Sequence, residues 1–232
     1  MAERIDAAAG RAVVVLGPAA CGKTNAVLDL YERYGAQGKG SCLLLAPTFT
    51  GVAYLKRKLL ERSDHGVVVR PRVETFGTLG GRILAAEGRT VHTLSPFRRY
   101  LLLRRLVGEL RDGDGLSALN SVADSPGLID ALDRAISELK RAAVEPDDLA
   151  AAARGPKGKE TDLLEVYRRY QSELHDTETY DTEGQMWLAR DVLATAAHNK
   201  PLPGLEGVRA ILVDGFTDFT PTQAAILAIL CE

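Results

Sequence analysis

The sequence is poor in several features, and each shortage removes a class of function. Its 232 residues include three cysteines. Cys21, Cys42 and Cys231 are scattered with no C-x-x-C pair, so neither a disulfide framework nor a cysteine metal cluster is indicated. Net charge is nearly absent, because 29 Lys and Arg against 31 Asp and Glu give −2. Bulk charge therefore offers no attraction to nucleic acid or to an anionic membrane, and any nucleic-acid binding requires a local groove. No apolar run reaches the ~18 residues of a membrane span, and the opening MAERIDAAAGR lacks the pattern of a signal peptide. Internal repeats and low-complexity segments are missing too. These shortages predict a reduced, cytoplasmic protein with no membrane partner. The remainder, 46% hydrophobic and 26% charged, is ordinary for a globular protein long enough for one or two domains.

Hydrophobic periodicity predicts an α/β architecture with an interruption. Val13-Val14-Val15-Leu16 reads as a buried strand. Val27, Leu30, Tyr31 and Tyr34 then share one helical face, which ends at glycines 35, 38 and 40. Cys42 to Ala46 reads as a second strand, followed by a helix that buries Val52, Leu55 and Leu59, and Val67-Val68-Val69 is a third strand candidate. Strands alternating with helices predict a parallel sheet with helices on both faces.

From about Leu79 to about Ala197 only helical patterns occur. Ser95-Pro96 reads as an N-cap and first helical residue before Leu103, Leu106, Val107 and Leu110. Ser125-Pro126 repeats that signal before Ile129, Leu132, Ile136 and Leu139. Two further stripes are Leu163, Val166, Tyr167, Tyr170, Leu174 and Met186, Ala189, Leu193, Ala197. RDGDG (111–115) lacks the acidic residue that would complete a calcium loop and reads as a turn. The α/β pattern returns with Val208 to Val213, and Thr220-Pro221-Thr222-Gln223 reads as a capping box opening a last helix.

Two motifs carry chemistry. GPAACGKT (Gly17, Pro18, Ala19, Ala20, Cys21, Gly22, Lys23, Thr24, followed by Asn25) matches G-x-x-x-x-G-K-[ST] between a strand pattern and an amphipathic helix. Its glycines let successive N–H groups curl around phosphate oxygens at the positive end of a helix. Lys23 is predicted to reach the β- and γ-phosphates of ATP, and the Thr24 hydroxyl to ligate Mg²⁺. Asp214, after the apolar run Ala210 to Val213, is the expected partner of that metal. A GTPase reading fails because Asn199-Lys200-Pro201-Leu202 lacks the aspartate of N-K-x-D.

With these motifs in place, the chain resembles the N-terminal ATPase core of superfamily 1 helicases of the UvrD/Rep type. It resembles most the AddB/RexB subunit of the bacterial helicase–nuclease. DGFTDFTPTQ (214–223) carries Asp214, Asp218 and Gln223 of the D-E-x-Q-D magnesium motif, with Gly215 where the catalytic glutamate belongs and Thr217 in place of the first glutamine. A D-G-F form is characteristic of the AddB-like branch, so the departure supports the resemblance. LLLAPTFTGVAYLKRKL (43–59) resembles motif Ia, and VETFGTLGGRIL (73–84) resembles motif Ib with Gly77 replacing its histidine. The helical stretches 136–149 and 162–174 resemble the 1B subdomain inserted in 1A.

The resemblance implies a RecA-like P-loop domain 1A over 1–80 and 206–232, with a helical 1B insertion over 81–205. The chain is then expected to be part of a larger protein, since the coupling motifs, the second RecA-like domain with its arginine finger, and the nuclease domain lie further on in those proteins. It also implies single-stranded or end-containing double-stranded DNA lying along Thr48, Phe49 and Thr50 of motif Ia and Thr75 and Phe76 of motif Ib. An AddA-type subunit is the implied partner. Phe49 and Phe76 suit that role because an aromatic face stacks on any base. The expected function is ATP and Mg²⁺ binding in double-strand-break repair, with hydrolysis placed in doubt by Gly215. Two rivals are an active UvrD-type motor, with Asp218 or a residue elsewhere as base, and a degenerate DNA- or partner-binding scaffold without nucleotide turnover.

Overall fold

The structure is a computed structural model, and it describes residues 13–36, 40–152, 155, 157–196 and 202–231. The opening eleven residues, Gly38, Ala197 and the Asn199-Lys200-Pro201 stretch, each used above, lie outside the described residues. The chain divides into two compact units. One comprises Met1–Arg89, Ala189–Phe219 and Gln223–Glu232, the other Thr90–Leu188 and Thr220–Thr222.

The first unit is built on a small parallel sheet. Strands β1 (Cys42–Leu45), β2 (Val73–Glu74) and β5 (Ala210–Val213) run in the order β2-β1-β5. Leu44 pairs with Val73, Leu45 with Glu74, and Cys42 through Leu45 with Ala210 through Val213. Central β1 is an unbroken apolar run buried along its whole length, as a strand covered on both faces requires. Helices α1 (Lys23–Gly35), α2 (Phe49–Arg62), α3 (Phe76–Ala86) and the terminal α9 (Pro221–Cys231) complete the α/β layers. Leu28 of α1 and Val52, Leu55 and Leu59 of α2 close the core over Leu44, Ala46 and Val73, as the helical spacing predicts for α2.

Two strand expectations fail here. Val13 to Leu16 form no strand, and their side chains are 42 to 88% exposed. An apolar run sets a tendency to be buried but supplies no partner for its N–H and C=O groups, and no described strand pairs with it. Val67-Val68-Val69 is likewise irregular, and the strand lies six residues later at Val73–Glu74. Only Val68 of the three packs on the core. With three strands in this sheet among the described residues, the full RecA-like sheet of the resemblance is not evident.

The second unit is helical: α4 (Pro96–Asp112), α5 (Pro126–Arg141), α6 (Pro146–Ala152), α7 (Lys159–Asp176) and the first half of α8 (Thr182–Ala196). Its core is Leu103, Leu106, Val107 and Leu110 of α4, Ile129, Leu132 and Ile136 of α5, and Val166, Tyr167, Tyr170 and Leu174 of α7. Leu164 rather than Leu163 is the buried member at that end of α7. The Ser95 hydroxyl caps α4 by accepting from Arg98 N–H at 3.3 Å. α5 starts at Pro126 as expected, without a side-chain cap from Ser125.

The helical stretch also contains a strand pairing that its periodicity did not show. His92–Thr93 (β3) runs parallel to Thr179–Tyr180 (β4), and two residues per strand are too few for any alternation to register. RDGDG is a turn, with N–H groups of 113, 114 and 115 bonded back to the end of α4. Two buried carboxylates organise the unit. Asp162 accepts from the N–H groups of Ser117, Ala118 and Leu119, so their bonds, together with the Ser117 hydroxyl, hold its carboxyl below the ordinary range despite burial. Asp181 pairs with Lys140 at 2.7 Å, each 1% exposed.

Candidate functional site

The glycine-rich segment forms a tight turn that opens α1. Ala20 and Gly22 take positive φ, 58° and 90°, and Gly22 is the N-cap residue, with no side-chain cap on the first turn. First-turn N–H groups have no intrahelical acceptor, so this end of α1 carries partial positive charge. A Cβ at Gly17 would lie 2.7 Å from Cys21 Sγ, so the exposed cysteine side chain would have to turn aside. Lys23 Nζ folds back across the turn, donating to Gly17 O at 2.7 Å and Pro18 O at 2.6 Å, with Cys21 Sγ at 3.6 Å. Pro18, Ala19, Cys21 and Asn25 are exposed around it.

Asp214 stands at the C-terminal end of β5, the end where open parallel sheets present their ligand-binding groups. Its N–H continues the ladder to Leu45 O at 3.0 Å. The Thr24 hydroxyl donates to its carboxylate, 3.0 Å to Oδ2 and 3.2 Å to Oδ1, across 190 positions of sequence. A hydroxyl and a carboxylate converge beside a cationic loop, and both are hard oxygen donors of the kind Mg²⁺ takes. Gly215 follows at φ 80°, a conformation that side-chain-bearing residues rarely adopt. Asp218 is exposed and accepts from the Thr217 hydroxyl at 3.1 Å.

One carboxylate at this end of the sheet has no signal in the sequence. Glu74 closes β2 opposite Leu45, the residue that also pairs with Val213. Burial raises its pKa, which Arg72 and Lys56 offset in part, and Arg82 stands 3.1 Å from it. Only the strand register reveals it. Cys42 is inert by contrast, since burial pushes its thiol up to about 12.

The residues expected along DNA separate into exposed and structural. Phe49 is 73% exposed at the start of α2, and Thr50 is exposed beside it. Thr48 caps α2 by accepting from Gly51 N–H at 3.0 Å. Thr75 caps α3 in a reciprocal box with Thr78. Phe76 corrects an expectation: at 3% exposure its ring is packed edge-on against Phe216 and Phe219 and has no face to offer a base. Several basic side chains are also satisfied within the chain. Arg57 and Lys58 pair with Glu61, Arg99 with Asp133, and Arg105 with Glu109 and Glu173.

Comparison with known proteins covers most of the chain. Residues 14–232 match the family described as ADDB, N-terminal. The chain is 28% identical over 228 residues to an ATP-dependent helicase/deoxyribonuclease subunit of Pelotomaculum thermopropionicum, covering 94% of this chain and 19% of that relative. It is 29% identical over 222 residues to the same-named protein of Moorella thermoacetica, with the same coverage. Against the same-named protein of Bacillus subtilis the identity is 26% over 229 residues, 92% of this chain and 18% of the relative. The chain thus spans about a fifth of the length of these relatives. Since the family match covers nearly the whole sequence, the chain belongs to the AddB N-terminal family.

Proposed function

We propose that this chain is the nucleotide-holding part of a helicase–nuclease subunit acting in DNA double-strand-break repair, binding Mg·ATP as a ligand that it hydrolyses little. The observation that carries the reading is the bond between Thr24 and Asp214, because a GKT threonine and a strand-end aspartate 190 positions apart meet where a P-loop site needs them. A RecA-like 1A domain is the architecture this reading supposes, supported by the parallel β2-β1-β5 order and by Asp214 at the strand end. In it the loop N–H groups and Lys23 bind phosphate, and Thr24 and Asp214 hold the metal. Bound Mg²⁺ supplies charge neutralisation of the phosphates. The relatives' name, subunit of an ATP-dependent helicase/deoxyribonuclease, supports a partner subunit and DNA as the polymer acted on; this reading takes the partner to be of the AddA type and the setting to be cytoplasmic. The test is ATP affinity and turnover of this chain, and of the longer subunit with and without its partner.

Turnover by this chain is expected to stay well below about one per second, the low end of ordinary enzymes. A positioned base contributes about 10²–10⁴ in rate, and an arginine finger about 10³–10⁵. A glutamate at 215 would have to adopt the left-handed backbone that Gly215 holds. Any L-residue at φ 80° carries roughly 1–2 kcal/mol of strain. Its Cβ would only touch Pro47 at 3.5 Å, so space is not the obstacle. Gly215→Glu is therefore expected to destabilise the chain slightly and to raise phosphate release little. Turnover near one per second in the unmodified chain, abolished by Asp218→Ala, would make Asp218 the base and this chain an active ATPase.

Single-stranded DNA is expected to bind weakly and with steep salt dependence. Phe49 and Thr50 are presented, but Phe76 is not, and much of the basic surface is paired internally. Fluorescence anisotropy with a labelled oligonucleotide should lose most of its signal between about 50 and 200 mM salt. Tight binding that persists at the higher salt would identify a self-sufficient DNA-binding module instead.

A further inference from the structure

We propose that the Phe76–Phe216–Phe219 ring cluster is a positioning device for Asp214, setting the carboxylate of the metal site from the far side of Gly215; the metal part of this proposal rests on the Mg·ATP reading above. Asp214 is the last residue held by the β5 ladder, through its N–H to Leu45 O at 3.0 Å. Beyond it Gly215 turns the chain at φ 80°. A carboxylate at the end of a strand and followed by glycine would swing with the loop unless the loop were fixed again. The fixing point is Phe216, two residues on. Its ring stacks on Phe219 at 5.1 Å and 27°, and meets Phe76 edge-on at 5.5 Å and 84°. Phe219 completes the triangle, 6.3 Å from Phe76.

The anchor of the triangle is itself immobilised. Phe76 is the first residue of α3, buried, on a helix start closed by the reciprocal Thr75–Thr78 bonds. Asp214 therefore lies between two fixed points, a ladder bond on one side and three interlocked rings on the other. Aromatic pairs in these offset and edge-on geometries contribute about 0.5–1.5 kcal/mol each beyond area burial, enough to favour one loop conformation. Groups hydrogen-bonded to a metal ligand control metal affinity by about 10–100-fold, and rings that act on Asp214 through the backbone should fall near the low end of that range.

The test compares Phe216→Ala with the unmodified chain in two measurements. In the first, ATP binding is titrated with Mg²⁺ and repeated in EDTA. Phe216→Ala should raise the Mg²⁺ concentration for half-maximal binding by about tenfold, leave metal-free ATP affinity unchanged, and be rescued by Phe216→Tyr. In the second, with no nucleotide, amide exchange at Asp214 should accelerate while exchange at Leu44 in β1 does not. An unchanged Mg²⁺ midpoint overturns the metal role, and equal losses with and without Mg²⁺ reduce the rings to plain core packing. Unchanged exchange at Asp214 overturns the positioning itself. If the unmodified chain binds no Mg·ATP, the proposed function falls while the exchange comparison still decides the positioning. Phe219→Ala, at a ring 42% exposed, should give the same pattern with smaller shifts and serves if Phe216→Ala does not fold.

Discussion

Lys23→Ala should abolish measurable Mg·ATP binding. In the structure the ammonium donates to Gly17 O and Pro18 O and so bridges the two ends of its own turn. Those carbonyls hold it across the turn, and on the Mg·ATP reading binding would exchange the two carbonyl contacts for contacts with phosphate oxygens. A hydrogen bond to a charged group contributes about 1.5–3 kcal/mol, and Lys23 is the cationic side chain bonded within this loop. Losing two such bonds to phosphate lowers affinity by roughly 10²–10⁴, at about 1.4 kcal/mol per tenfold. The alanine variant should remain folded, because Lys23 makes its bonds to an exposed loop and none to the core. Calorimetry of the two proteins under identical Mg²⁺ decides the matter. Equal affinities would remove the glycine-rich loop from nucleotide binding altogether.

Breaking the Lys140–Asp181 pair should produce the largest loss of stability in the helical unit. Both groups are almost wholly buried. Asp181 accepts from Lys140 at 2.7 and 2.9 Å, from Tyr170 OH at 2.9 Å and from Gly184 N–H at 2.7 Å. Removing one partner of a buried pair leaves an uncompensated charge, at about 3–5 kcal/mol. Replacing both by apolar residues of similar volume should be far milder for the same reason. The single tryptophan, Trp187, reports the transition directly, as Lys140 Nζ lies 5.2 Å from its ring centre. Urea unfolding followed by its fluorescence should give Asp181→Asn a midpoint well below that of the unmodified chain. A change under about 1 kcal/mol would show the pair to be energetically idle.

The pH dependence follows from the same cluster. Burial would raise Asp181, but the Lys140 ammonium, the Gly184 N–H and Arg99 outweigh it and hold the carboxyl below the ordinary range. A carboxyl depressed in the folded state stabilises the fold above the ordinary value of about 3.9. That stability is lost as pH falls through the depressed folded value. The helical unit should therefore lose stability below about pH 4, and Asp181→Asn should flatten that part of the curve. Lys140 behaves differently, because burial lowers it and Asp181 offsets this only in part.

Local signals located most elements of the fold. The run Cys42 to Leu45 is β1, and its unbroken apolar pattern suits a strand buried in the middle of a parallel sheet. The stripes on α2, α4 and α5 face their cores because a helix repeats its faces every 3.6 residues. Ser95, Pro96, Pro126 and Pro221 mark helix starts through chemistry confined to a single turn. The glycine-rich turn and the strand-end aspartate were legible for the same reason, and the fold brings Thr24 to Asp214.

Whatever depended on a distant partner had to wait for the tertiary structure. Val13 to Leu16 carry the strongest strand pattern at the start of the chain yet pair with no described strand, because hydrophobicity does not choose a ladder neighbour. Phe49 and Phe76 both sit at helix starts in similar Thr-Phe contexts. One is exposed and the other is locked beneath Phe216 and Phe219, a difference made by residues about 140 positions away. Glu74 reaches the Asp214 end of the sheet through register alone. Gly215 looks in sequence like a glutamate lost, and only its φ of 80° shows that the backbone itself favours glycine there. Composition and periodicity thus located the main helices, the central strand and the glycine-rich turn, since those depend on residues within a few positions of one another. Strand pairing, the burial of each aromatic ring and the setting of Asp214 were decided by the tertiary structure, because each depends on contacts between residues far apart in the chain.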